Sequence, residues 1–342
     1  MSPDAVVDRV SPDEYRAAVD GLAVFDRSSR MRLRVFGRAP RQMLNGILTG
    51  TLPLPPEEAA DGVWGGVATY HAVLTPKGKM ITDLWVFLLG DEAEEGFLLD
   101  VPVAGSASLL DHFAKVLPPR FARHEDVSED TGMLAVTGSE AAAALSKIAF
   151  GLRIEGTELE GLDEGAWRMV GRAPGALAVA RVREVAPDAY WVLGERKAVS
   201  ALRDRLIEAG GVATGPDTWT TLRVEAGRPE FGVDMTDTTL PIEAGIHDRA
   251  IDYQKGCYTG QEVIVRIRDR GHVNRHFHRL VLGDVRVPET GTELFGPGDD
   301  TKSVGWITSA VRSPAEDAVV ALAYVRRGVE RVVFDGHEVA VG

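Results

Sequence analysis

Two stretches of this chain read in turn as strands and helix, and that repetition restricts it to a mixed α+β fold. In the first, residues 69–74, 80–89 and 96–101 have strand character, and Pro76-Lys77-Gly78-Lys79 punctuates the leading pair as a hairpin turn, giving a meander. Leu109, Leu110, Phe113, Val116 and Leu117 then fall on one helical face until Pro118-Pro119 stops the run. In the second, residues 133–137 read as a strand, 139–150 as a helix, and 176–183 and 190–193 as strands. A helix through Val199, Leu202 and Leu206 closes it at Gly210-Gly211. Ahead of both, residues 22–25 and 32–36 read as strands around the turn Asp26-Arg27-Ser28-Ser29, with a helix over 39–48. Residues 51–66, rich in Pro, Glu, Ala and Gly and without a period, predict an exposed, mobile insertion. Beyond residue 270 short strands at 279–282, 304–307 and 319–324 alternate with turns, and 331–341 fold around Asp335-Gly336. That texture predicts a small C-terminal β-barrel or sandwich.

A length of 342 residues implies two or three domains. With 51 acidic against 38 basic side chains, the net charge of -13 opposes general binding to RNA or to an anionic membrane, so an anionic ligand needs a local basic patch. No stretch approaches the ~20 apolar residues of a membrane span, and residues 1–16 lack a signal-peptide core; a cytoplasmic protein is expected. Cys257 is the sole cysteine, which excludes an internal disulfide and an all-thiolate metal site within one chain. There is no Gly-rich phosphate loop and no His-Glu-x-x-His helix. His272, His276 and His278 crowd together at spacings that fit no common metal site, so no metal is expected.

Special residues are densest at Lys255-Gly256-Cys257-Tyr258-Thr259-Gly260-Gln261-Glu262. Thr259 and Glu262 match a capping box, which predicts a helix starting at Thr259; the β-branched Val263, Ile264, Val265 and Ile267 suit a strand equally well. With a helix there, its positive end and Lys255 would both lower the pKa of the Cys257 thiol, making Cys257 and Lys255 a candidate catalytic or ligating pair. The alternative is a small buried hydrophobe. From Lys255 to Arg279 six cations, Arg266 among them, face two carboxylates, a net of +4 in an acidic chain. Such an island suits a polyglutamate tail or a phosphate, or is a solvated face.

The eight-residue motif, followed by Arg266, is similar to the signature of the YgfZ family. Leu222-Arg223-Val224-Glu225-Ala226-Gly227, Phe231-Gly232-Val233-Asp234 and Pro241-Ile242-Glu243-Ala244-Gly245 resemble the block shared by YgfZ proteins and the glycine-cleavage T-protein. Phe25-Asp26-Arg27-Ser28 and Lys77-Gly78-Lys79-Met80-Ile81-Thr82-Asp83-Leu84 stand in the corresponding order upstream. The resemblance implies a ring of α+β units around a central folate channel. Residues 1–270 would build it (about 1–50 with 130–270, and 51–129), with residues 271–342 as a β-barrel packed on it and the Cys257 loop near the mouth. It implies tetrahydrofolate or a derivative as ligand, iron-sulfur client or assembly proteins as partners, and an accessory role in iron-sulfur cluster assembly or repair. The alternative is a folate-dependent aminomethyltransferase or other one-carbon transferase. Within the motif, Gly256, Tyr258, Gln261, Glu262 and Arg266 become candidate folate contacts. Aminomethyltransferases carry Asp-Asp-Leu where this chain has Thr82-Asp83-Leu84, and a Gly-Tyr-Thr-Gly-Glu segment where it has Val182-Arg183-Glu184-Val185; Glu184 is the candidate to replace that carboxylate.

A folate site needs a carboxylate for the pterin N–H groups, a flat apolar slot, and cations for the glutamate tail. Asp83 is the carboxylate expected. Tyr70 and Trp85, sharing its meander, rank ahead of Trp191 as ring-stacking partners, unless they are core. Arg223 either pairs with the tail or braces a domain contact.

Overall fold

The computed structural model describes residues 5–92 and 95–342, and three sheets carry its architecture. The eight-stranded sheet runs Val212–Ala213, Ala23–Asp26, Thr131–Thr137, Ala189–Glu195, Ala178–Val182, Ala166–Val170, Val63–Val67, Glu57–Ala60. The five-stranded sheet runs Thr69–Leu74, Met80–Phe87, Phe97–Val101, Met31–Phe36, Arg123–Asp126. The strands 23–26 and 31–36, consecutive in sequence, therefore do not pair: the turn between them crosses from one sheet to the other.

Side-chain alternation places the cores. Leu134 and Val136 face the helices Ala141–Ile148 and Arg196–Glu208, whereas Met133 and Ala135 face inward. In the other sheet Leu84 and Val86 pack under the helices Pro40–Ile47 and Val103–Val116, while Trp85 and Phe87 face the same interior as Ala135 and Trp191. That shared interior also takes Trp219 and Leu222 from the helix Pro216–Glu225, and Phe231, Met235 and Ile246 from the irregular segment after it.

Residues 51–66 are not a loose insertion. Val63–Val67 pairs with Ala166–Val170, and a Cβ at Gly66 would lie 2.7 Å from the Trp167 ring, so glycine lets the strand lie on the indole. The C-terminal region forms a curled antiparallel half-barrel in the order Arg275–Gly283, Ala318–Arg326, Asp299–Ser313, Glu293–Gly296, Arg331–Phe334, His337–Ala340. Val6–Val7 joins it parallel to Asp299–Ser313. Among the described residues, no helix is long and apolar enough to cross a membrane.

A buried ion pair is hydrogen-bonded to this half-barrel and helps tie it to the interior. Arg223 donates to Asp234 at 2.5 Å, to the Arg228 carbonyl at 2.7 Å and to Ser309 at 3.0 Å. Asp234 also accepts from Ser309 at 2.7 Å and from Thr308, which sits at a register shift of the Asp299–Ser313 strand. Such bulges re-aim side chains, here toward a buried carboxylate. Asp234→Ala takes from the buried Arg223 guanidinium its hydrogen-bonded carboxylate and leaves only Glu230 at 3.3 Å, and a loss of about 3–5 kcal/mol in denaturant unfolding is expected. Replacing Arg223 and Asp234 together by Met and Leu should recover most of it.

Candidate functional site

Asp83 shares strand parity with Trp85 and Phe87, so the alternation that buries those aromatics also buries a carboxylate. Tyr70, directly opposite Trp85 on the neighbouring strand, reaches diagonally and donates its hydroxyl to Asp83 Oδ2 at 2.5 Å. Oδ1 is sealed from solvent and has no hydrogen-bond partner among the described residues. Burial pushes the Asp83 pKa up to about 6, although the Tyr70 hydroxyl and Arg30 favour its charged form.

Glu184, just past the strand Ala178–Val182, accepts from Trp85 Nε1 at 3.2 Å and from Arg249 at 2.9 Å. Burial alone would raise its pKa, but the Arg249 guanidinium holds it below the ordinary carboxylate value. Arg249 also pairs with Glu164 and lies 4.9 Å from the Tyr70 ring centre. Trp191 packs edge-on against Trp85 with centroids 5.5 Å apart, and its Nε1 has no hydrogen-bond partner among the described residues. Arg30 pairs with Asp100 at 2.7 Å. Arg27 sits 4.3 Å over the Trp219 ring.

Arg27, Arg30, Tyr70, Asp83, Glu184 and the three tryptophans line a tight cavity of about 40 Å³. On one side it shares Tyr70 and Trp85 with a cavity of about 530 Å³; on the other it shares Arg27, Arg30 and Trp219 with one of about 580 Å³. Four polar atoms on the central wall make no hydrogen bond to the described residues, the acceptor Asp83 Oδ1 and the donors Trp191 Nε1, Arg27 Nε and Arg223 Nε, the last lying 3.3 Å from Glu230. Buried polar atoms in native proteins are almost always satisfied, so a wall carrying several orphans suits a ligand that brings both donors and acceptors.

Of the residues singled out in the sequence, Asp83, Tyr70, Trp85, Trp191, Glu184 and Arg223 come together here. The motif residues do not. Lys255 turns its Nζ inward onto the Leu48 and Gly50 carbonyls at 2.8 and 2.7 Å, and burial lowers its pKa to about 8. Cys257 and Gly256 are exposed, which removes the buried-hydrophobe reading of the thiol. Tyr258 is core, its hydroxyl unpartnered; Gln261 is half-buried; Glu262 and Arg266 are exposed. None of these lines the three cavities.

The helix after the motif forms, as Gln261–Arg270, but the capping box does not. Gly260, at φ 84°, is the N-cap, and Thr259 instead donates its hydroxyl to the Gly46 carbonyl at 3.4 Å. A Cβ at Gly260 would meet the Thr75 carbonyl at 2.7 Å, so the helix start lies against the hairpin that carries Asp83. A thiol at position 257 is therefore not at the first turn. The basic island is partly neutralised by distant carboxylates, Arg275 by Glu243 and Arg279 by Glu316.

Sequence reasoning missed Arg27, Arg30, Trp219, Glu230 and Arg249 as wall residues. Two cations in the turn between strands of different sheets were the signal available for the first pair. Nothing local shows that this turn faces inward.

This chain belongs to the family defined by the GCVT N-terminal domain, which matches residues 4–255. An aminomethyltransferase of Corynebacterium jeikeium is 28% identical over 334 residues, covering 92% of this chain and 81% of the relative. One of Synechococcus is 27% identical, covering 96% and 85%. The fold matches the crystal structure of the glycine cleavage system aminomethyltransferase T from Bartonella henselae, with a TM-score of 0.77 at 21% identity, over 96% of this chain and 86% of that one.

Two outcomes are expected from this geometry. Above pH about 6 the folded protein carries an ionised Asp83 disfavoured by burial; below about pH 4 the group is protonated folded and unfolded alike. Asp83→Asn should therefore raise stability at pH 8 by roughly 1–3 kcal/mol, and the gain should fade as the pH drops toward 4, read by denaturant unfolding at each pH. At the motif, Gly260→Ala should cost about 1–3 kcal/mol and Thr259→Ala less than about 0.5, the reverse of what a Thr259 cap requires.

Proposed function

We propose that this chain is a tetrahydrofolate-dependent one-carbon transferase of the aminomethyl-transfer class, with its reaction centre at Asp83 in a channel formed by the three adjoining cavities. The observation that carries this reading is the orphaned, buried Asp83 Oδ1 beside aromatic walls; the names of the relatives support the same class. The residues fit a reduced pterin: Asp83 Oδ1 and Glu184 accept ring and amino N–H groups, Trp191 Nε1 donates, and Trp85 and Tyr70 bound a flat slot. Tetrahydrofolate, when bound, supplies the secondary-amine nitrogens that take up a one-carbon unit.

The chain's own residues would act on the proton and on orientation. Asp83 holds or accepts a proton at Oδ1, the only carboxylate oxygen of that residue left free by Tyr70. Tyr70 fixes the carboxylate plane, and Arg249 fixes Glu184 and thereby the Trp85 indole. Because the central cavity is so tight, a ring reaches Asp83 only when the Tyr70 and Trp85 side chains give way toward the 530 Å³ side. On this reading the half-barrel buttresses the channel through Arg223 and Asp234.

The exposed thiol of Cys257, in a motif similar to that of YgfZ proteins, favours a second reading, an accessory role toward iron-sulfur proteins. Folate-dependent aminomethyl transfer, measured for two variants, separates the two. Asp83→Asn is expected to lower turnover at least about 100-fold and Cys257→Ser to leave it within about twofold. For the wild type the rate should decline as the pH falls through about 6, where Asp83 takes up its proton. Turnover absent in the wild type, with loss of iron-sulfur enzyme activity in Cys257→Ser cells, would favour the accessory role.

A further inference from the structure

Three arginines line the central cavity, and two are engaged by carboxylates: Arg30 by Asp100 at 2.7 Å, Arg223 by Asp234 at 2.5 Å. Arg27 makes no side-chain hydrogen bond or ion pair to any described residue, and its Nε is sealed from solvent. The side chain is nonetheless held in place over Trp219, on the wall shared by the central cavity and the 580 Å³ cavity. Glu230, a carboxylate of that wall, lies 3.3 Å from Arg223 Nε. Asp26, also on the outer cavity, is exposed and accepts from the Ser28 amide at 2.9 Å. The flank at the opposite end is acidic, with Glu164, Asp248 and Asp252 around Arg249.

We propose that Arg27 is the anion anchor of the channel, binding a terminal carboxylate of the ligand and so orienting the ligand's tail into the 580 Å³ cavity. The proposal rests on the folate reading, in which that carboxylate belongs to the glutamate tail. It moves the tail-binding role away from Arg223, whose terminal nitrogens donate to Asp234, Ser309 and the Arg228 carbonyl and whose Nε faces Glu230 at 3.3 Å. A desolvated guanidinium without a carboxylate is unfavourable in the free protein, and its fixed fork matches a carboxylate in two parallel hydrogen bonds. Burial, with Arg30 nearby, lowers the Arg27 pKa to about 10, although the Glu230, Asp100 and Glu184 carboxylates favour its charged form. The acidic far flank disfavours the reversed orientation of an anionic tail.

The test is calorimetric titration of wild type, R27Q and R27K with tetrahydrofolate and with 6-methyltetrahydropterin, which has the ring but no tail. R27Q is expected to weaken tetrahydrofolate binding at least roughly tenfold, to leave the pterin unchanged, and to melt no lower than wild type without ligand; R27K should fall between. Unchanged tetrahydrofolate affinity in R27Q, or equal weakening of both ligands, would overturn the assignment. So would full affinity in R27K if R27Q does not fold. Failure of both compounds to bind the wild type is a different result: it removes the folate reading, and the tail anchor with it.

Discussion

Charge buried where sheets meet governs this structure. Removing ionised groups from water is costly, and the cost is tolerated only where partners are supplied with good geometry. At the junction of the interior with the half-barrel that demand is met: Asp234 collects donors from Arg223, Ser309, Thr308 and the Glu230 amide. A helix, an irregular segment and a bulged strand are thereby held in one register. A few residues away, at Asp83 and Arg27, the demand is left partly unmet. The contrast supports the proposed ligand site, because Asp83 Oδ1 and Arg27 Nε are buried polar atoms that make no hydrogen bond to the described residues.

Alternation made part of this legible in the sequence. The run 80–89 reads as a strand, which fixes Asp83 on the face of Trp85, and the hairpin turn at 76–79 brings Tyr70 opposite; both follow from a period of two. Other features required tertiary knowledge. Residues 57–67 lack strand-like composition because Gly65 and Gly66 lie against Arg168 and Trp167, an advantage visible only once the neighbouring strand is in place. The Thr259 capping box was a sound local signal overridden by the close approach of the 74–80 hairpin, which demands glycine at 260. Arg223 could not be decided from sequence, since its partner Ser309 lies 86 residues away.

The same packing gives the conspicuous motif a physical role that needs no chemistry at the thiol. Lys255 holds the carbonyls of Leu48 and Gly50, and the Thr259 amide holds Gly46. Gly260 seats the following helix on the hairpin whose second strand presents Asp83. The motif thus clamps the wall of the central cavity from behind, a role compatible with either functional reading and sufficient to explain Gly260 and Lys255.

The most direct test of this account is a crystal structure of the protein with tetrahydrofolate bound. The expected result is the pterin ring against Trp85, with one of its N–H groups within hydrogen-bond distance of Asp83 Oδ1. A folate ordered elsewhere, for instance on the surface around Cys257, with Asp83 Oδ1 still lacking a partner, would contradict it.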